Sequence, residues 1–343
     1  MPTIYEIAEK AGVAPGTVSK VFNNYKQINE KTREKVLAVA KEMGYVPNIA
    51  ATSIKTNQSY LIGVIFPENV GIGLNHQFFS AILESFRNRM GEHGYDTIFI
   101  NNKLGNNTIG YLDHCKYRNV DGAFIITALE DDLDVKKLLS SHIKCVTTDM
   151  VIDQIPYVLS DNLEGAKLAV NYLYEQGHRK IGHIAGPLST MPGGERFEGY
   201  LQALDAHGIS FDPKWMAESE WFTYEAAHAA TLKYIDQFDT DSMPTALFVS
   251  SDLMALAVID ALSTKKLKVP DDVSIIGFDD IEIAKYATPK LTTIHQNTKQ
   301  IGETVADTLY RSILDESHHI MVPRVPVSLV IRDSVKATPI FTR

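Results

Sequence analysis

Cysteine is scarce. Cys115 and Cys145 are the two thiols in 343 residues, thirty positions apart, with no CxxC pair and no His/Cys cluster at metal spacing. That argues against a structural zinc or a disulfide framework and suits buried thiols in a reducing compartment. No apolar run approaches the length of a membrane span, and no apolar segment with a cleavage site opens the chain, so a soluble cytoplasmic protein is expected. Catalytic signatures are missing as well: there is no Walker lysine and no GxGxxG after the first body strand. Gly186-Pro187 and Gly193-Gly194 form a loop before a helix that suits an anion, but no nucleophile stands at a recognisable spacing from a base. Asp279-Asp280 reads as a helix start, His178 as a loop or cap residue, and His318-His319 as a solvated pair without further ligands. The expectation is no enzyme, no metal and no cofactor.

What is present is concentrated first between residues 3 and 55. Thr3 and Glu6 have the spacing of a capping box, so a helix starts there. Ile4, Ile7, Ala8 and Ala11 recur at helical spacing, and Gly12 suits a left-handed exit. Pro15 opens a second helix that turns Val18, Val21 and Phe22 inward and shows Gly16, Thr17, Ser19, Lys20 and Asn23 on its other face. Asn29 caps a third helix, which Gly44 stops, and Pro47 leads a short fourth. Two helices across a glycine turn match the helix-turn-helix, whose second helix reads the major groove. They match an ordinary three-helix packing unit equally well. The fourth helix is too short to persist alone, because nucleation is costly, and it requires a partner.

Basic residues are outnumbered, 33 to 42, for a net charge of −9. The deficit is uneven: residues 1–58 carry eight Lys/Arg against five Asp/Glu, and the remainder 25 against 37. A basic head on an acidic body directs a nucleic-acid contact to one end. Beyond the polar stretch 56–59, the apolar run 61–66 suits a strand buried on both faces. Strands at 97–100, 122–126, 144–148, 180–185, 245–249 and 273–278 then alternate with helices at 78–92, 163–176, 196–207, 224–235 and 252–264. Such alternation implies parallel sheets covered on both faces, with ligands beyond the carboxyl ends of the strands.

Thr3-Ile4 through Ala8, Ala11-Gly12-Val13, Thr17-Val18-Ser19, Val21, Asn23, Thr32-Arg33, Val36-Leu37, Gly44-Tyr45 and Pro47-Asn48 together resemble the DNA-binding domain of the LacI/GalR family. Later segments such as Val120-Asp121-Gly122, Arg196-Phe197-Glu198-Gly199-Tyr200 and the run 273–280 extend the resemblance over essentially the whole chain. It implies an all-α helix-turn-helix headpiece with a hinge helix, followed by an α/β body of two doubly wound parallel-sheet subdomains, similar to type I periplasmic binding proteins. The divisions expected are a headpiece at 1–46, hinge and linker at 47–59, a first subdomain at 60–160 plus 292–322, and a second at 161–291 plus 323–343. By the same resemblance Pro15, Gly16 and Lys20 read bases, and Ser19, Asn23, Asn29, Thr32 and Tyr45 stand near phosphates. The hinge helix from Asn48 enters the minor groove with Ile54 as its wedge. Ile4, Ala14, Thr17, Ala51 and Lys55 complete the DNA-facing set. Ala14 stands where the family usually has serine, and Thr52 and Ile54 where it has arginine and leucine.

The resemblance also implies an effector cleft formed by His76, Phe78, Phe79, Asp161, Thr190, Arg196, Trp221, Phe222, Ser251, Asp252 and Asp279. Aromatic faces with fixed carboxylates and an arginine fork match a sugar, which has apolar C–H faces and vicinal hydroxyls. Phe78 reads equally as core packing and Asp161 as a helix N-cap. This chain departs from the family in the longer stretch 68–77, in Ser251 where sugar-responsive members have asparagine, and in Trp221 where an acidic residue is common. The implied function is a repressor that binds a near-palindromic double-stranded operator as a homodimer. A small effector, a sugar or sugar derivative or alternatively a non-sugar metabolite, controls it by linkage and acts as inducer or corepressor. A cytoplasmic solute-sensing module, using its headpiece for assembly, is the alternative of another class.

Overall fold

Thr3 closes a reciprocal cap on α1 (Ile4–Ala11): its hydroxyl accepts from the Glu6 amide at 3.3 Å, and its own amide donates to the Glu6 carboxylate at 2.7 Å. Gly12 then leaves the helix at φ 62°, where a Cβ would be strained. α2 (Pro15–Phe22) and α3 (Glu30–Glu42) follow, and the Asn29 side chain accepts from the Thr32 amide at 2.8 Å to cap α3. Ile7, Ala8, Ala11, Val18, Val21, Val36 and Ala40 make the common core. The computed structural model describes residues 2–22, 25, 27–45, 58–66, 74–128, 132–152, 154–239, 242–315 and 324–338. It forms two units, Met1–Ser59 and Tyr60–Arg343.

In the second unit the chain runs β1 (Leu61–Ile65), α4 (Gln77–Glu92), β2 (Asp96–Ile100), the short hairpin β3 (Lys103–Leu104) and β4 (Asn107–Thr108), and α5 (Tyr111–Arg118). It continues through β5 (Gly122–Ile125), α6 (Leu133–Leu139), β6 (Lys144–Thr148) and β7 (Tyr157–Val158). The first sheet has the order β2-β1-β5-β6-β7, all parallel. Alternation along the strands decides which helices cover which face. Ile62, Val64 and Phe124 pack with Ile82 and Phe86 of α4, whereas Ile65, Ala123 and Ile125 pack with Tyr111, Cys115, Val135 and Leu138 of α5 and α6. Fully burying each large apolar side chain contributes roughly 1.5–3 kcal/mol.

Next come α7 (Asn162–Glu175), β8 (Ile181–Ala185), α8 (Met191–Ala206), β9 (Met216–Glu218), α9 (Tyr224–Ile235), β10 (Ala246–Val249), α10 (Asp252–Thr264), β11 (Ser274–Asp279) and β12 (Thr292–Gln296). α11 (Thr298–Ile313) and β13 (Val327–Val330) complete the described chain. The second sheet has the order β13-β12-β11-β10-β8-β9, with β13 alone antiparallel. Its one face packs under α7 and α8, and its other under α9 and α10. Gly199 lets α8 approach α7, since a Cβ there would lie 2.4 Å from the Leu163 carbonyl oxygen.

In the second unit the expected strands and helices are present, and α8 starts at Met191, a turn ahead of the sequence reading. One division needs correction. Residues 292–296, assigned to the first subdomain, form β12 and pair with β11 in the second sheet. The chain crosses back only at Asn297, which caps α11, and α11 packs on α4. Ser160 and Val325 form a parallel bridge, so two inter-subdomain crossings lie side by side.

Candidate functional site

The headpiece presents α2 on its surface. Ala14, Gly16 and Lys20 are exposed; Pro15, Thr17 and Ser19 are half-buried, as are Ile4, Thr32 and Tyr45. Nothing lies within 4 Å of the position a Cβ on Gly16 would take, so internal packing does not require glycine there. α2 begins without a side-chain cap. The Asn29 carbonyl oxygen is engaged at the start of α3, and the Tyr45 ring packs 5.3 Å from Phe22, so both serve the fold whatever else they touch. Asn23, Asn48, Ala51, Thr52, Ile54 and Lys55 lie outside the described residues, as do the hinge helix, most of the stretch 68–77 and His318-His319.

In the second unit, the segments leaving β5, β6, β8, β9, β10 and β11 at their carboxyl ends, with the start of α4, enclose a cavity of about 400 Å³. This is where ligands bind in open parallel sheets. Of the eleven side chains expected there, nine line it: His76, Phe78, Phe79, Thr190, Arg196, Trp221, Phe222, Ser251 and Asp279. The other two are elsewhere. Asp161 is the N-cap of α7 and accepts from the Glu164 amide at 3.1 Å. Asp252 is fully buried, accepting the Thr293 hydroxyl at 2.5 Å and the Ile281 amide at 2.9 Å, so it ties α10 to β12. Both belong to helix starts, where an aspartate serves the backbone first.

Arg196 is the centre of the cavity's polar wall. It stands on α8, only 4% exposed, with its guanidinium 3.8 Å over the Phe278 ring. Its Nε donates to Asn162 Oδ1 at 2.9 Å and its Nη1 to the Ser250 carbonyl at 2.5 Å. Nη1 also lies 4.0 Å from Asp279 Oδ1, which accepts from Gln296 Nε2 at 2.6 Å. Asn162 is held in turn by Glu195, through its Nδ2 at 3.2 Å, and Glu195 accepts both arms of Arg324 at 2.6 and 2.5 Å. Arg196 thus reaches the paired crossings at Ser160 and Val325 through two intermediates. The backbone is strained beside it: Asp279 has φ 120°, Asp280 φ 59° and Asp149 φ 57°, conformations that are rare for side chains with a Cβ and that cluster at functional sites.

The sequence reading missed Asp149, Thr127, Ala128, Met150, Val151, Ser189, Met191 and Pro192, which line the cavity. Asp149 was within reach, because it directly follows the strand 144–148 and strand ends were already marked as the ligand face. Burial pushes its carboxyl up to about 6 against the pull of Arg196, and pushes Asp279 up to about 7 against Arg196 and the Gln296 hydrogen bond. His76 is driven down to about 4 by burial and by the Arg196 charge, so it is neutral at physiological pH. Its Nδ1 is buried with no hydrogen-bond partner among the described residues, while its ring packs 5.2 Å from Phe79. Phe222 is seated by Gly186, where a Cβ would come within 2.2 Å of its ring. Among the described residues no group of His, Cys, Asp and Glu is placed to hold a metal, and no helix is long and apolar enough to cross a membrane.

Comparison with known proteins covers both units. Residues 3–48 match the model of bacterial regulatory proteins of the lacI family, and residues 170–335 that of a periplasmic binding protein-like domain. The transcriptional repressor PurR of Pasteurella multocida is 32% identical over 98% of this chain and 99% of its own length. The repressor CytR of Escherichia coli is 33% identical over 98% of this chain and 97% of its own length. Among solved structures, the lac repressor dimer bound to operator and an anti-inducer superposes with a TM-score of 0.77 at 30% identity, covering 98% of this chain and 99% of that one. The complex of the transcriptional regulator CelR with cellobiose gives 0.71 at 29%, covering 97% and 100%. Helix-turn-helix, two parallel-sheet subdomains and full-length relatives agree: the chain belongs to the LacI family of DNA-binding transcriptional regulators.

Proposed function

We propose that this regulator is a cytoplasmic repressor whose hold on a near-palindromic operator is set by a carbohydrate bound between its two body subdomains. The observation that carries the effector half is the cavity itself, in which a buried arginine, two carboxyls and the rings of Trp221 and Phe222 converge from both subdomains. The complex of the related CelR with cellobiose supports the carbohydrate reading. The outer face of α2, with half-buried Pro15 and exposed Gly16 and Lys20, is the proposed base-reading edge. The body divides at the crossings near Asp161, Asn297 and Arg324, with β12 in the second subdomain.

A homodimer is the assembled form in this reading. The lac repressor structure is a dimer on its operator. On this chain Leu74, Phe99, Ile283 and Tyr286 are large apolar side chains left 44–74% exposed, and exposed apolar groups of this kind mark association surfaces when they are contiguous. Effector control is then linkage: whichever body conformation the sugar favours is the one it populates. Selection of random duplex DNA on the purified chain, with and without cellobiose, tests the proposal. A palindrome enriched without ligand and lost with sugar is the expected result. Enrichment only with sugar reverses the sign to a corepressor, and no enrichment under either condition overturns the reading.

A further inference from the structure

The charges in the cavity are unequal. Among the described lining residues Arg196 is the one Lys or Arg side chain, and it faces two carboxyls, Asp149 and Asp279. The protein already engages its Nε and Nη1. A phosphate or carboxylate would find two arms of its counter-charge already engaged by the protein and two carboxyl groups close by. What remains is hydrogen-bonding capacity of mixed sign. The carboxyl of Asp149 makes no hydrogen bond to described residues, Nη2 of Arg196 donates to none of them, and His76 Nδ1 is buried with no hydrogen-bond partner among them, whereas the Asp279 carboxyl is held by Gln296 and the Asp252 amide. Hydroxyl groups both give and accept, and they satisfy such a wall without bringing charge. An acceptor-only anion does not.

We infer that the cavity selects an uncharged, polyhydroxylated ligand and rejects phosphorylated and acidic sugars. This rests on the reading of the cavity as an effector site and narrows it. The neutral His76 ring and the raised Asp149 and Asp279 carboxyls agree with it, because each sits in a setting that disfavours added charge. Unmatched buried charge is the costliest error a site of this kind can admit.

Titration calorimetry of the full chain tests it with matched probes: glucose, galactose, maltose and cellobiose on one side, glucuronate and inorganic phosphate on the other. Neutral sugars should bind at least about tenfold more tightly than either anion. Asp149→Asn, whose native carboxyl makes no hydrogen bond to a described residue, should gain at least about tenfold in phosphate affinity, because it leaves Arg196 facing one carboxyl fewer. Asp279→Asn should do the same if circular dichroism finds it folded. Anion binding equal to that of the sugars, absence of binding by every neutral sugar, or no gain of phosphate affinity in folded Asp149→Asn would each overturn the inference. The operator selection separates this from the reading beneath it. A chain that enriches a palindrome yet prefers anions remains a regulator with a different ligand, and one that binds neutral sugars but no operator loses the regulator reading alone.

Discussion

Three aspartates at strand ends and helix starts have three different roles. Asp161 caps α7, Asp252 is locked in the core, and Asp149, which the sequence reading passed over, faces the cavity. Local spacing gives the N-cap signal but not which way a strand-end loop turns, because that depends on the backbone at Asp149 and Asp279, both at positive φ. Asp252 gives the sharpest test of this division of labour. Asp252→Ala leaves the Thr293 hydroxyl and the Ile281 amide buried without acceptors, each worth about 1–3 kcal/mol. The body should lose roughly 3 kcal/mol in urea denaturation. A loss under ~1 kcal/mol would mean that the site relaxes and that Asp252 has another purpose.

Helices and strands were legible because their periodicity is local. The strand 144–148 and the helices 224–235 and 252–264 have the same bounds in sequence and structure. The sheet that β12 joins was not legible, since partner choice is decided by packing far along the chain. α5 and α6 were missed too: they are short, and α5 covers the sheet with Tyr111, His114 and Cys115, without an aliphatic stripe. At this scale α2 and the start of α7 make opposite predictions. α2 lacks a side-chain cap, so Ala14→Ser should stabilise the headpiece by about 1 kcal/mol. Its own thermal transition reads this, and an unchanged midpoint would mean the backbone at residue 14 does not suit a cap. Asn162→Ala should weaken the body by about 2 kcal/mol, because Arg196 Nε loses its acceptor in a buried setting. Arg324→Ala, on a side chain that is 42% exposed, should cost about 0.5 kcal/mol. Equal losses in the two would refute the view that Asn162, and not the outer ion pair, fixes Arg196.

For the whole molecule, the same carboxyls that define the cavity set a pH dependence of its body. An unfolded aspartate titrates near ~3.9, whereas burial holds Asp149 near about 6 and Asp279 near about 7, and Asp252 is raised in the same direction. Between those values the folded body keeps protons that the unfolded chain has released, and stability falls with rising pH wherever the native state binds more protons. Their contribution is therefore complete below about pH 4 and is lost as pH climbs through the interval 6 to 7. Arg196 limits the loss, since its charge favours both carboxylates. Urea midpoints of the body across this range should decline in the native chain and decline less in Asp279→Asn, which has no proton to give up at that position. Coincident slopes would mean that Asp279 is ionised throughout, and that Arg196 is already neutralised by one full carboxylate before any ligand arrives.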